Sequence, residues 1–164
     1  VLGFVLARIV RLFRSAAHPV PLGSLRAPVS LTLDTRGIPT IAGTCRTDVM
    51  CALGFITARD RLFQMDLLRR STAGRLAEIL GPSLVAFDSD QRIKGFNRTA
   101  RAVVGLLPEE QREALGAYAE GVNAYIRGAR FPGLEFLLLR YRPEPWSVED
   151  SVLVALYMAQ ALTA

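Results

Sequence analysis

Between residues 29 and 34 apolar and polar side chains alternate, with Val29, Leu31 and Leu33 interleaved with Ser30, Thr32 and Asp34. A period of two predicts a strand. Thr35-Arg36-Gly37 supplies a turn and Ile38–Ala42 a returning strand, which Pro39 confines to a sheet edge. From Thr47 the period lengthens. Val49, Leu53 and Ile56 share one helical face, Thr47 is placed to cap, and Asp48 suits the positive end of the helix dipole. The stretch GFITARDRLFQMDLLRRSTAGRLAEILG, residues 54–81, then departs from any simple pattern. Phe55, Leu62, Phe63, Met65, Leu67 and Leu68 put apolar surface on nearly every side of the helix, yet Arg59, Asp60, Arg61, Asp66, Arg69, Arg70 and Arg75 share it. A surface helix confines its apolar residues to a stripe, and a core helix avoids charge. A buried helix is expected to run to Thr72 and break near Gly74, with Gly81-Pro82 as the next stop.

Residues 83–104 are expected to be helical in part. PEEQREALGAYAEGVNAYIRG, residues 108–128, predicts a helix with Pro108 and two glutamates at its start and Leu115, Tyr118, Ala119, Val122, Tyr125 and Ile126 on its buried face. Residues 131–146 read as a loop with a short apolar segment, and Ser147 caps a last helix with Glu149 and Asp150 in its first turn. VLGFVLARIVRLFR, residues 1–14, predicts a basic amphipathic helix, the remnant of a signal or membrane anchor or else a cap on a hydrophobic partner surface. A Pro- and Ser-containing linker, residues 15–28, comes after it. Beginning with Val1, the chain is expected to be a fragment or a processed product.

Composition sharpens this picture in one respect. Apolar residues make up 51% of the 164 even with glycine left out, against roughly 45–50% with glycine included in ordinary soluble domains. No run of about 18 apolar residues spans a membrane, so the surplus points to burial against a second polypeptide. The net charge of +5 sits almost wholly in residues 1–26, where Arg8, Arg11, Arg14 and Arg26 meet no acid. A nearly neutral body excludes the clustered basic face that nucleic-acid binding needs.

Catalytic chemistry is scarce. The one histidine, His18, lies in the linker, so neither a Ser-His-Asp nor a Cys-His set can be assembled around the core. No phosphate-cradling loop is present. Asp60 and Asp66 are about 240° apart on a helix and do not form an acid/base pair. Position 1 offers no Ser, Thr or Cys as an N-terminal nucleophile. Cys45 and Cys51 lack zinc-ligand spacing and read as small thiols, bonded to each other only if the backbone brings them within about 7 Å. The charges of residues 54–81 form either exposed helix pairs or a buried network of arginine forks and carboxylates, and the surrounding apolar residues favour the network.

Four blocks in order, LTLDTRGIPTIAG, ALGFITARDRLFQMDLLRRSTAGRLAEILG, LGAYAEGVNAYI and RYRPEPWSVEDSVL, resemble the penicillin acylase (penicillin amidase) family of N-terminal-nucleophile hydrolases. The resemblance covers about residues 27–164, leaving 1–26 as a separate basic segment and linker. It implies a mainly α chain with a short N-terminal β-hairpin, the α-chain part of an α+β (αββα) hydrolase cut from one precursor by autocatalytic cleavage. The nucleophile would be a serine opening a β chain beyond Ala164, whose own amino group is the base. The resemblance therefore implies no catalytic residue here, a β-chain partner, a small-molecule N-acyl substrate and a periplasmic or exported location, with membrane contact through residues 1–14.

The same resemblance places one wall of the acyl pocket on the last helix. Met158 matches the family's pocket methionine, although a plain core role also suits a methionine there. The pocket arginine and phenylalanine of penicillin G acylases fall at Ala161 and Leu162, a departure that argues against penicillin G specificity and for a different, aliphatic acyl preference. Asp60, Arg61, Gln64 and Arg70 are expected in polar networks inside a two-chain body. The α-chain glutamate that is a calcium ligand in some members falls past Ala164, so no metal residues are assigned in this chain and calcium is left to the β chain. The competing reading is a non-enzymatic helical module, membrane-associated or partner-binding, or an inactive fragment. The two readings differ in the continuation of the chain past Ala164: a serine opening a β-rich region for the enzyme, a stop for the module.

Overall fold

The computed structural model describes residues 25–163. The basic helix expected over residues 1–14 lies outside them. Two strands, β1 (Ser30–Leu33) and β2 (Pro39–Ala42), pair antiparallel with Ser30 opposite Ala42 and Leu33 opposite Pro39. Their turn is built by Asp34, whose Oδ1 accepts the backbone N–H groups of Arg36 and Ile38, both at 2.8 Å, while Gly37 takes the positive φ of 80° that closes it. The alternation over residues 29–34 is that of a half-buried strand. Instead β1 is exposed on both faces, because the long helix that follows packs against β2 and leaves β1 uncovered among the described residues.

The long helix α1 (Arg46–Ala73) is the axis of the molecule. Its cap is Cys45, in extended conformation, and Thr47 lies inside the first turn with its hydroxyl 3.0 Å from Cys45 Sγ; the expected Thr47 cap is thus displaced by two residues. Asp48 does more than complement the dipole: its buried carboxylate accepts the N–H groups of Arg26 and Ala27 at 3.0 Å and pins the incoming chain. A non-helical residue, Arg61, kinks the helix. Gly74, at φ 66°, ends it in the left-handed turn that L side chains resist, with Arg75 N–H returning to Arg70 O at 2.8 Å.

Short helices α2 (Ala77–Leu80), a 3₁₀ turn (Pro82–Leu84), α3 (Val85–Lys94) and α4 (Phe96–Leu106) then wrap one end of α1. Helix α5 (Glu109–Gly128) comes next, with Pro108 standing just ahead of its first turn, and packs along α1 over most of its length. Glycine makes that approach possible. A Cβ on Gly121 would lie 2.8 Å from the Cys51 carbonyl carbon and closer still to its oxygen, and one on Gly54 would meet the Tyr118 carbonyl in the same way. A short α6 (Leu134–Leu138) drops Phe136 into the core formed by Ala58, Leu62, Met65, Ala119, Val122 and Trp146. The last helix, α7 (Val148–Thr163), packs Val152 and Leu153 onto Ala73 and Ala100. Ser147 and Asp150 cap it reciprocally, Asp150 N–H donating to Ser147 Oγ and Ser147 N–H to Asp150 Oδ2. No disulfide links Cys45 and Cys51.

Candidate functional site

The charges that broke the pattern of α1 converge at its C-terminal half. Asp66, Arg69 and Arg70 stand at i, i+3 and i+4, which puts all three on one helical face, and Asp66 is 1% exposed. One oxygen of its carboxylate takes Arg69, Nε at 2.8 Å; the other takes Arg70 Nε at 2.9 Å and the Tyr141 hydroxyl at 2.7 Å. The cluster extends outward from there. Arg70 reaches Glu78 at 2.6 Å and Glu144 at 3.3 Å, and Arg75 forks onto both of those carboxylates. Three guanidiniums thus face four carboxylates, counting Asp150.

Each charge has a partner, which is the condition for keeping ions in an interior. The Arg75 guanidinium, through its hydrogen bonds, holds the Glu144 carboxyl down to about 2 and also lowers Glu78. Burial, reinforced by Asp66, raises the Tyr141 phenol, so it stays a protonated donor to that carboxylate at neutral pH.

Arg69 joins this network to the last helix. Its Nη1 donates to Pro145 O and to Asp150 Oδ2, its Nη2 to Glu144 O, all at 3.0 Å, while its guanidinium lies 5.0 Å from the centroid of the Trp146 ring. Asn123 of α5 completes the grip: its side chain accepts Trp146 N–H at 2.7 Å and donates to Trp146 O at 2.8 Å. Trp146 Nε1 donates to Ser151 Oγ at 3.0 Å. The segments DLLRR, GVNAYI and EPWS, remote in sequence, are therefore the parts of one joint.

Beyond that joint α7 becomes progressively exposed, with Leu156 still packed against α4. Met158 is 54% exposed and Leu162 83% exposed, and Ala161 is exposed beside them. Val154, Met158 and Ala161 fall within about 60° of one another around the helix. Val154 also lines an apolar groove of about 330 Å³ between α1, α5 and α7, with Met50, Leu53, Leu68, Leu115 and Tyr118 on its other walls. The stripe on α7 therefore runs out of this groove onto open surface. Of the four residues expected in polar networks, Arg70 is in the buried cluster. Asp60 pairs with its neighbour Arg59, and Arg61 donates to Gln64, all on the surface of this chain. Asp66, Arg69, Tyr141, Glu144 and Asn123, which the sequence did not single out for the site, carry the joint. Among the described residues no group of three or more His, Cys, Asp or Glu side chains could hold a metal ion, and no helix is long and apolar enough to cross a membrane.

The described residues thus present a helical scaffold, a buried ionic joint and an exposed apolar helix end. The penicillin amidase family profile matches residues 28–164, and the chain belongs to that family. It is 42% identical over 145 residues to penicillin acylase 2 proenzyme of Pseudomonas sp. (strain SE83), covering 85% of this chain and 19% of that protein. It is 38% identical over 98 residues to penicillin G acylase of Escherichia coli, covering 60% and 12%. To the acyl-homoserine lactone acylase QuiP of Pseudomonas aeruginosa it is 35% identical over 136 residues, covering 82% and 16%. Among solved structures it resembles a thermostable penicillin G acylase from Alcaligenes faecalis, with a TM-score of 0.76, 29% identity, and 83% of this chain and 74% of that chain covered. The chain spans less than a fifth of the length of these curated relatives. The mainly helical fold with its short antiparallel hairpin is that of the family's N-terminal region.

Proposed function

We propose that this chain is the α-chain portion of an amide hydrolase that removes the acyl group from N-acyl compounds. The nucleophile is a serine at the start of a β chain cut from the same precursor, and the present chain supplies scaffold and part of the acyl pocket. The observation that carries the reading is the family membership of residues 28–164 together with an α7 whose outer half, with Met158, Ala161 and Leu162, is uncovered. Coverage supports the two-chain division. The same stretch that spans under a fifth of the curated relatives spans 74% of the solved Alcaligenes faecalis chain, and one relative is named a proenzyme.

In this reading attack by the serine on the amide carbonyl forms an acyl-enzyme and releases the amine, and water then releases the acid. The residues of this chain do not touch the reacting atoms. They hold the acyl group in an apolar cleft that lacks a charged or aromatic side chain at positions 161 and 162, which suits aliphatic acyl groups. Export to the periplasm, with residues 1–14 at the membrane, belongs to the same proposal. Calcium would be held by the β chain.

The test is intact mass and N-terminal sequencing of the native protein from its source, followed by a panel of N-acyl amides, β-lactam side-chain amides and acyl-homoserine lactones. A co-purifying larger chain that begins with serine, and hydrolysis of at least one aliphatic substrate, is the expected result. A lone polypeptide that hydrolyses none of them refutes the proposal.

A further inference from the structure

The outer half of α7, from Met158, stands clear of the core of this chain. Val152 and Leu153 are its last fully buried residues, Leu156 packs half-buried against α4, and Met158, Ala161 and Leu162 beyond it are exposed. Its direction is therefore set over residues 144–156, by the polar grip on its first turn together with the apolar seat on α4. At 1.5 Å per residue Met158 lies about 12 Å and Leu162 about 18 Å beyond Asp150. A tilt of about 10° at the grip displaces Leu162 by about 3 Å, the size of two methylene groups.

One side chain supplies three of the hydrogen bonds in the polar part of that grip. Arg69 takes the carbonyls of Glu144 and Pro145 and the Asp150 carboxylate, each at 3.0 Å, and is itself aimed by Asp66. Asp150 is at the same time the carboxylate of the α7 capping box, so Arg69 holds the helix by its first turn. A planar fork with five donors can satisfy all these acceptors at once, whereas the single ammonium of lysine cannot. The 5.0 Å approach to the Trp146 ring fixes the plane of the fork.

The geometry points to Arg69 as a positioning residue for acyl-group selection: through Asp150 it sets the direction of α7 and hence where Met158, Ala161 and Leu162 stand. This rests on the reading of α7 as a wall of the acyl pocket. Arg69 acts through the helix, and its role is to fix the depth of the cleft for acyl chains of one length class.

The experiment measures kcat/KM for N-butanoyl, N-hexanoyl and N-decanoyl p-nitroanilides with the full matured protein, comparing wild type with Arg69→Lys, Asp150→Asn and Asp88→Asn. The readout is the ratio between acyl lengths, which does not depend on how much folded enzyme each preparation contains. Asp88→Asn is the control: Asp88 accepts Leu76 and Ala77 N–H groups at 2.9 and 2.7 Å and loosens α2 rather than α7. The expected result is a ratio shifted roughly fivefold or more in Arg69→Lys and in the same direction in Asp150→Asn, carried mainly by KM, with the wild-type ratio kept in Asp88→Asn. If Arg69→Lys does not mature, the milder Asp150→Asn decides. Unchanged ratios in the Arg69 and Asp150 variants, at whatever activity, overturn the positioning role while leaving the acylase reading intact. A wild type that hydrolyses none of the three overturns the pocket reading itself, and the inference with it.

Discussion

Replacing Gly121 by alanine tests whether α1 and α5 are held by backbone contact. The new Cβ would stand 2.8 Å from both the Cys51 carbonyl carbon and the Phe55 nitrogen. Unbonded carbon atoms sit about 3.5–4.0 Å apart and the Cys51 oxygen is closer still, so the helices must separate by at least about 1 Å. Neither obstacle is a flexible side chain that could swing away. A gap of that size forfeits a quarter to a half of the dispersion energy across the seam, where Ala58, Ala119 and Val122 are packed. Overpacking costs typically 1–3 kcal/mol, and a backbone clash belongs at the upper end. Against it, alanine gains up to about 1 kcal/mol of helix propensity. The expected net loss is about 2 kcal/mol, or roughly 4–8 °C in Tm for a domain of this size.

The same substitution at Gly116, five residues earlier on α5, is its control. A Cβ there meets nothing within 4 Å, so Gly116→Ala should gain about 0.5–1 kcal/mol from propensity alone. Thermal unfolding of the purified protein followed by circular dichroism reads both. Opposite signs are expected. A Gly121→Ala protein as stable as wild type, or two shifts of the same sign and size, would refute the helix-contact account.

Asp66→Asn removes the charge that Arg69, Arg70 and Tyr141 share and leaves buried guanidiniums short of a counter-ion. The expected loss is about 3–5 kcal/mol, measured by urea unfolding, and a change below about 1 kcal/mol would mean that the outer carboxylates suffice. Glu144 is held well below its usual value by Arg75, so its contribution is fully present above about pH 4.5 and is lost as pH falls through about 2. Glu144→Gln should accordingly lower Tm near neutral pH and flatten its fall across that acid window; parallel curves for variant and wild type would show that Glu144 is not a stability determinant.

How much of this was legible in the chain can be judged at particular residues. The ends of the elements were local matters, and the local signals located them: Gly74 and Gly81-Pro82 as stops, Pro108 ahead of α5, the Ser147–Asp150 box at α7, the Gly37 turn of the hairpin. The Thr47 cap failed because the helix begins two residues earlier, after an extended Cys45 that caps it without any side-chain hydrogen bond to signal the start. The crowded charges of α1 announced a buried network, and Arg70 was found in it. Asp66 was not distinguished from Asp60, since both are aspartates within a turn of arginines on one helix: Arg59 and Arg61 adjoin Asp60, and Arg69 and Arg70 come three and four residues after Asp66.

What separates those two aspartates is what faces them. Asp66 meets Tyr141 and Arg69 meets Asp150, contacts across 75 and 81 residues, while Asp60 meets solvent and its neighbour Arg59. Nothing in the sequence marks Gly54 and Gly121, and only the packing of α5 against α1 makes them necessary. The sequence by itself determined the helices, their limits, the excess of apolar surface and the family resemblance, because caps, turns and periodicity act within a few residues. The tertiary structure alone decided which charges are buried, where the helices touch and which half of α7 is left open, because those depend on the meeting of segments that no local rule connects.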